Sequence, residues 1–112
     1  MSKFQSLPTI EHINHFIKNN QLTFLYISRP NCSVCHGLLP QVEKIMDNFP
    51  QIKLGHINAD KVMEIAGQFS VFTVPALLLF VNGKEYIREA RIVHLNLLEK
   101  KINKIYKHVV DD

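Results

Sequence analysis

Two cysteines, Cys32 and Cys35, are the only cysteines of this 112-residue chain, and two residues separate them. They stand between an apolar run at residues 22–27 and a long segment whose apolar residues recur with helical spacing. A Cys-x-x-Cys pair at such a junction of strand and helix is typical of a thiol–disulfide redox site. The pattern therefore predicts that the two thiols exchange with disulfides.

The position of each cysteine predicts its role. Cys32 falls where the helical spacing begins, and a helix start favours an anion through its free N–H groups and the positive end of its dipole. Such positions lower the pKa of a cysteine thiol from about 8.5 to roughly 3.5–7.5. Cys32 is therefore the predicted attacking thiolate. Cys35 lies one turn later on the same face, where it can resolve a mixed disulfide between Cys32 and a substrate.

Three alternatives compete with this interpretation. Residues 32–36 read Cys-Ser-Val-Cys-His, which also matches the attachment pattern of c-type haem. The pair could form half of a zinc site, although the sequence contains no second pair. The two cysteines could also be buried and inert within a helix. The start of a helix directly after a strand favours the redox interpretation, and we expect no bound metal.

The composition and charge of the chain argue against several other classes of protein. The chain is 46% hydrophobic and 21% charged, as in ordinary globular proteins, and its length suits a single domain over residues 1–112. The net charge of +3 is spread along the chain, so nucleic acid is not an expected partner. The longest apolar run, residues 74–81, is too short to span a membrane. The first residues lack the apolar core of a signal peptide, so we expect a cytoplasmic protein.

Periodicity and turn residues predict an alternating order of helices and strands. The helices are predicted at residues 10–18 after an N-cap at Thr9, at 32–48 with a kink at Pro40, at 61–69 after an N-cap at Asp60, and from about His94 onward. The strands are predicted at residues 22–27, 52–58, 76–81 and 84–92, with residues 2–8 as a loop or short edge strand.

This order predicts an α/β fold. Strand–helix–strand connections favour parallel strands with helices on both faces of the sheet. Asn82-Gly83 is a strong hairpin signal, which adds an antiparallel edge strand. We therefore expect a mixed central β-sheet sandwiched by helices.

Together these features resemble the thioredoxin family over nearly the whole chain. The motifs that carry the resemblance are the strand before Cys32-Ser33-Val34-Cys35, the helix proline Pro40, the strand ending Ile57-Asn58-Ala59-Asp60, and Val74-Pro75 before a strand and Asn82-Gly83. The resemblance implies a thioredoxin-like fold, with Cys32 as nucleophile and Cys35 as resolving cysteine. It also implies that Pro75 follows a cis peptide bond opposite the cysteines and that the backbone of Val74 pairs with substrate.

The implied activity is the reduction of protein disulfides by a monomer that needs no prosthetic group beyond its own redox-active disulfide. Its implied partners are proteins that contain disulfides and a reductase or small thiol that donates electrons. A thioredoxin-like adaptor with redox-sensing or inert cysteines is the alternative.

The chain departs from typical thioredoxins around the cysteines. Asn31 replaces a tryptophan of the substrate-binding surface, and Ser33-Val34 replaces Gly-Pro, so the reduction potential cannot be transferred from the family. His36, after the resolving cysteine, could add positive charge, although an exposed helix position is the simpler expectation. The hairpin charges Arg88, Glu89 and Arg91 are expected to form a solvated face.

A second departure concerns proton transfer. Tyr26 occupies the position of the family's buried aspartate, and His56 that of a nearby lysine. Because the pKa of a tyrosine is ordinarily about 10, Tyr26 is a poor base at neutral pH. Either His56 or water must then accept the proton of the resolving thiol. We expect that His56 does not, because a histidine in a strand is more often a packed residue.

Overall fold

The computed structural model describes residues 3–110, so the terminal residues of the predicted domain, Met1, Ser2, Asp111 and Asp112, lie outside the described part. Five strands and four helices follow in the order β1 (Gln5–Ser6), α1 (Ile10–Lys18), β2 (Leu22–Ser28), α2 (Ser33–Met46), β3 (Lys53–Asn58), α3 (Glu64–Phe69), β4 (Ala76–Val81), β5 (Lys84–Ala90) and α4 (Leu95–Val110). The predicted alternation of elements is confirmed.

The strands form one mixed sheet in the order β1-β3-β2-β4-β5. The central strand β2 is parallel to β3 and antiparallel to β4, and the hairpin adds β5 at the edge. Asn82 and Gly83 both have positive φ, of 51° and 83°, as the two central residues of a type I′ turn require. The predicted α/β fold with a mixed central sheet is therefore confirmed.

The central strand β2 is buried on both faces, which explains why its sequence is mostly apolar instead of alternating between apolar and polar residues. One face, with Phe24 and Tyr26, packs in a core that includes Val42 of α2 and Leu98 of α4. The opposite face packs in a second core, with Ile13 of α1. Every residue of β2 is buried, so this strand is a rigid base for the loop and helix that follow it.

Gly55 lets the N-terminal segment approach the sheet closely. A Cβ atom at this position would lie 2.5 Å from Cδ1 of Leu7 and 3.1 Å from Cε2 of Phe16. Gly55 also pairs with Gln5 of β1 and Leu25 of β2. The absence of a side chain in the middle of β3 therefore allows Leu7, just after β1, and Phe16 of α1 to pack closely against the sheet.

The predicted start of α3 is wrong. The helix begins at Glu64 instead of residue 61, and Asp60 does not cap it. Asn58 takes over the local hydrogen bonds: its side-chain oxygen accepts from the N–H of Asp60 at 2.9 Å, and its carbonyl accepts from the next two N–H groups. The carboxylate of Asp60 instead pairs with Arg29 at 3.0 Å. A turn therefore precedes α3, because Asn58 competes for the N–H groups that a helix would use.

The other predicted boundaries are close to those observed. Thr9 caps α1, since its side chain accepts from the N–H of His12 at 3.1 Å. α2 ends at Met46 instead of residue 48, and Pro40 lies inside it. The expected kink at Pro40 stays a prediction. Among the helices described within residues 3–110, none is long and apolar enough to cross a membrane.

Candidate redox site

Cys32 and Cys35 form a disulfide at the N-terminus of α2, with their Cα atoms 5.2 Å apart. This separation lies within the usual range for disulfides. Cys32 is the N-cap residue and is partly exposed, whereas Cys35 lies in the first turn and is only 1% exposed. One sulfur is therefore accessible to a large disulfide substrate, and the other is shielded behind it.

The helix start surrounds Cys32 with features that favour a thiolate. The backbone N–H of Cys35 donates to Sγ of Cys32 at 3.1 Å, and no acidic residue lies in the first turn of α2. An N–H donor and the positive end of the helix dipole both stabilise a negative sulfur. When the disulfide is reduced, this environment favours a negative charge on Sγ of Cys32.

The loop between β2 and α2 is fastened to its surroundings. Arg29 forms its ion pair with Asp60, and the N–H of Cys32 donates to the carbonyl of Arg29 at 3.2 Å. Nε2 of His36 lies 2.8 Å from the carbonyl oxygen of Pro30, to which its N–H donates. His36 is exposed, so its place on the first turns of α2 holds the loop from the solvent side.

Several predicted site residues lie around one open cleft. The peptide bond between Val74 and Pro75 is cis, and both residues line the cleft together with Cys32. The cleft has a volume of about 570 Å³. The predicted residues that line it with Cys32 are Asn31, Ser33, Val34, Val74 and Pro75.

Four further residues line this cleft and were not predicted: Arg29, Phe72, Thr73 and Arg91. Arg91 was expected on the solvated face of the hairpin, and it is exposed, but it follows the end of β5 beside Pro75. Its backbone N–H donates to the carbonyl of Pro75 at 2.9 Å. The pairing of Ala76 with Ala90 explains this placement, because each strand continues one residue to Pro75 and Arg91. The hairpin register is the sequence signal that could have located Arg91.

Tyr26 lies beneath the helix that carries the cysteines. Its side chain is fully buried, and Oη donates to the carbonyl oxygen of Cys35 at 2.6 Å. Burial raises the pKa of Tyr26 to about 12. Tyr26 therefore stays protonated at neutral pH and contacts the backbone of the resolving cysteine as a hydrogen-bond donor.

His56 is the neighbour of Tyr26 on β3, with the centres of the two rings 5.7 Å apart. Its Nε2 lies 2.7 Å from Oγ of the buried Ser28. Burial lowers the pKa of His56, the charge of His36 lowers it further, and the carboxylate of Glu43 opposes both effects. His56 is therefore half-buried, hydrogen-bonded and largely neutral at pH 7.

Within residues 3–110, no group of three or more histidine, cysteine or acidic side chains is arranged to hold a metal ion. The two sulfur atoms bond to each other in the structure. The chemistry that the arrangement supports is the making and breaking of the Cys32–Cys35 disulfide.

The chain matches known proteins of one family over most of its length. The family model described as Thioredoxin matches residues 5–104. The chain is 54% identical over 107 residues to thioredoxin-like protein YdfQ of Bacillus subtilis (strain 168), covering 96% of each chain. It is 35% identical over 77 residues to the thioredoxin of Chlamydia pneumoniae, covering 69% of this chain and 72% of that one.

Solved structures agree in fold. The oxidised form of mitochondrial thioredoxin 3 from Saccharomyces cerevisiae matches with a TM-score of 0.79 at 20% identity, covering 90% of this chain and 94% of that chain. This likeness supports the mixed sheet and its helices. With the family match over most of its length and the Cys-x-x-Cys pair at the start of α2, the chain belongs to the thioredoxin family, whose members catalyse thiol–disulfide exchange.

Proposed function

We propose that this protein reduces disulfides in other proteins through a Cys32–Cys35 dithiol/disulfide cycle. The observation that carries the proposal is the unequal exposure of the two cysteine residues. Cys32 is partly exposed at the helix N-terminus, and Cys35 is buried one turn behind it. A nucleophile must reach the substrate, whereas a resolving thiol needs to reach only Cys32.

The cycle begins with the reduced protein. The thiolate of Cys32 attacks one sulfur of the substrate disulfide, which forms a mixed disulfide and releases the other substrate sulfur as a thiolate. Cys35 then loses its proton and attacks Sγ of Cys32. This step forms the Cys32–Cys35 disulfide, breaks the mixed disulfide and releases the second substrate thiolate. Both substrate thiolates take up protons from water, so two electrons pass from the dithiol to the substrate.

The substrate lies in the cleft beside Cys32. In this proposal the backbone of Val74 pairs with the main chain of the substrate, and Pro75 packs against the disulfide. Asn31, Ser33 and Val34 also line the cleft, and Asn31 supplies a smaller side chain than the tryptophan that the family resemblance implies at this position. In this proposal, the smaller side chain of Asn31 leaves the cleft open beside Cys32.

Recycling requires two electrons from outside the chain. We propose a partner reductase or a small thiol as the donor, with the Cys32–Cys35 disulfide as the only redox group. We also propose that the protein acts as a monomer in the cytoplasm, where a reducing environment returns the disulfide to the dithiol form.

Trapping the mixed disulfide tests this proposal. The Cys35→Ser variant should accumulate a covalent adduct with insulin, a protein that contains disulfides, detected by mass spectrometry, and the adduct should be released by dithiothreitol. The Cys32→Ser variant should form none. Wild-type protein should accelerate insulin reduction by dithiothreitol. No adduct and no acceleration would contradict the proposal and favour a binding role for the fold, the adaptor alternative.

A further inference from the structure

The cleft around Cys32 has a one-sided charge distribution. Two arginines, Arg29 and Arg91, line it, and no acidic residue is among the described residues that do so. Arg29 is partly neutralised by its ion pair with Asp60 at 3.0 Å. Arg91 makes no ion pair with any residue in the range 3–110. The residues that line the cleft with Cys32 therefore include an arginine that has no ion pair within the described part of the chain.

The same cleft also presents apolar side chains to solvent. Phe72 is 70% exposed on the wall before Val74, and Val34 is 63% exposed on the opposite wall. Exposed large apolar groups next to a reactive sulfur favour contact with a protein surface over contact with water. A matching substrate would place apolar residues against these walls and a negative charge near Arg91.

The backbone at Arg91 supports a role for its side chain. Its φ is 69°, in the left-handed region that glycine adopts with less strain. The backbone N–H of Arg91 donates a hydrogen bond to the carbonyl of Pro75, which holds this part of the backbone beside the cleft. A charged residue stands here at a position where glycine would relieve the backbone, and unfavourable backbone conformations of this kind cluster at functional sites.

We propose that the cleft selects protein disulfides flanked by acidic residues, and that Arg91 determines this preference. The inference rests on the proposed disulfide-reductase function and names the substrate class of the same site. Arg91 acts by attracting the acidic flank. The chemical step at Cys32 is the same for every substrate.

Three peptides provide the test. They share one disulfide and an apolar residue beside it, and differ only at two flanking positions, which are Glu, Gln or Lys. For each peptide, kcat/KM of reduction is measured with dithiothreitol as donor. This value is divided by the second-order rate constant for reduction by dithiothreitol alone, because flanking charges also change the reactivity of the disulfide. Wild-type protein should prefer Glu over Gln and Gln over Lys by about two- to fivefold per step, as expected for an exposed ion pair. The preference should shrink in 1 M salt.

Variants at one position separate charge from backbone. Arg91→Glu should reverse the order of the peptides, Arg91→Lys should keep it, and Arg91→Gly should abolish it while relieving the left-handed backbone. Lys84→Glu makes the same change in net charge at the other end of β5, at an exposed residue outside the cleft, and should keep the preference. Equal normalised rates for the three peptides, or an unchanged order in Arg91→Glu, would overturn the inference.

A binding measurement distinguishes this inference from the proposed function. If no peptide is reduced, the reductase proposal fails. Serine-substituted versions of the peptides are then titrated into the oxidised protein and followed by amide chemical shifts of Val74 and Arg91. Tighter binding of the Glu peptide that is lost in Arg91→Glu would still support the charge preference. Equal binding of all three would contradict it.

Discussion

Tyr26 donates a hydrogen bond from Oη to the carbonyl oxygen of Cys35 at 2.6 Å, from the central strand to the first turn of the helix above it. This contact joins the most buried strand of the sheet to the backbone of the resolving cysteine. Tyr26 is therefore a hydrogen-bond donor to the backbone of α2 and stays protonated at neutral pH.

Replacing Tyr26 with Phe removes this hydroxyl and little else. The free energy of unfolding should fall by about 0.5–1.5 kcal/mol, the net value of one hydrogen bond. The pH profile of disulfide reduction should keep its shape, because the pKa of Tyr26, about 12, already lies far above neutral pH. Urea denaturation and rates between pH 5 and 9 provide the measurements.

Tyr106→Phe is the matched control, since the hydroxyl of Tyr106 accepts a hydrogen bond from the N–H of Gln51 at 3.3 Å and neither residue lines the cleft at Cys32. It should leave the rate of disulfide reduction unchanged. A pH profile that shifts in Tyr26→Phe but not in the control would show that Tyr26 takes part in proton transfer.

His56 should affect stability more than chemistry. In His56→Ala, Oγ of the buried Ser28 loses its partner, and the free energy of unfolding should fall by about 1–2 kcal/mol. The pH profile of disulfide reduction should not move. A large loss of rate with a shifted profile would instead identify His56 as the base for Cys35.

The lowered pKa of His56 also predicts how stability depends on acid. Because the pKa is lower in the folded protein than the unfolded value of about 6.5, the unfolded chain binds the proton first. The contribution of neutral His56 to the free energy of unfolding is fully present above pH 6.5. It is lost as the pH falls through the pKa of His56 in the folded protein. His56→Gln should lose less stability than the wild type between pH 7 and pH 5 in urea denaturation. An identical loss would contradict this assignment.

Arg88 should contribute to stability by joining β5 to the end of α3. It donates to both carboxylate oxygens of Glu85 at 2.7 and 2.8 Å, and to the carbonyls of Phe69 and Ser70 at 2.6 and 3.1 Å. Arg88→Ala should lower the free energy of unfolding by about 1–2 kcal/mol, mostly through the carbonyl contacts, since the ion pair is about one-third exposed. Thermal denaturation measures the loss.

The Glu85 side of this pair has its own pH dependence. The hydrogen bond from Arg88 lowers the pKa of Glu85 below its ordinary value of 4.5. The contribution of the Glu85 carboxylate to the free energy of unfolding is therefore present above about pH 4.5. It is lost as the pH falls through the lower pKa that Glu85 has in the folded protein. Glu85→Gln should flatten the acid end of the stability curve, and an unaltered curve would show that the pair contributes little.

Much of the fold followed from local patterns because those patterns match the tertiary contacts. The apolar run of β2 is buried on both faces, and the Asn82-Gly83 turn adopts the positive φ angles that these residues permit. The predicted start of α3 was wrong because an aspartate before apolar residues with helical spacing resembles an N-cap. The competing contacts to Asn58 and Arg29 arise from the turn geometry and from a loop 31 residues earlier.

The site was partly predictable for the same reason. Cys32 at the helix start follows from motif and spacing, whereas the place of Val74 and Pro75 beside it was implied by the family resemblance. The contribution of Arg91 depends on the hairpin register and on a left-handed backbone, neither of which its own sequence neighbourhood indicates. The contact from Tyr26 to the carbonyl of Cys35 likewise depends on how α2 packs on the sheet.

The reduction potential of the Cys32–Cys35 pair decides whether this protein can act as a disulfide reductase. The protein is equilibrated with dithiothreitol or glutathione buffers, and the fraction of intramolecular disulfide is measured by alkylation and mass spectrometry. A reductase should have a potential nearer to about −270 mV, as in reducing thioredoxins, than to about −120 mV. A value near about −120 mV would identify an oxidant, and failure to form a reversible Cys32–Cys35 disulfide would contradict the redox cycle altogether.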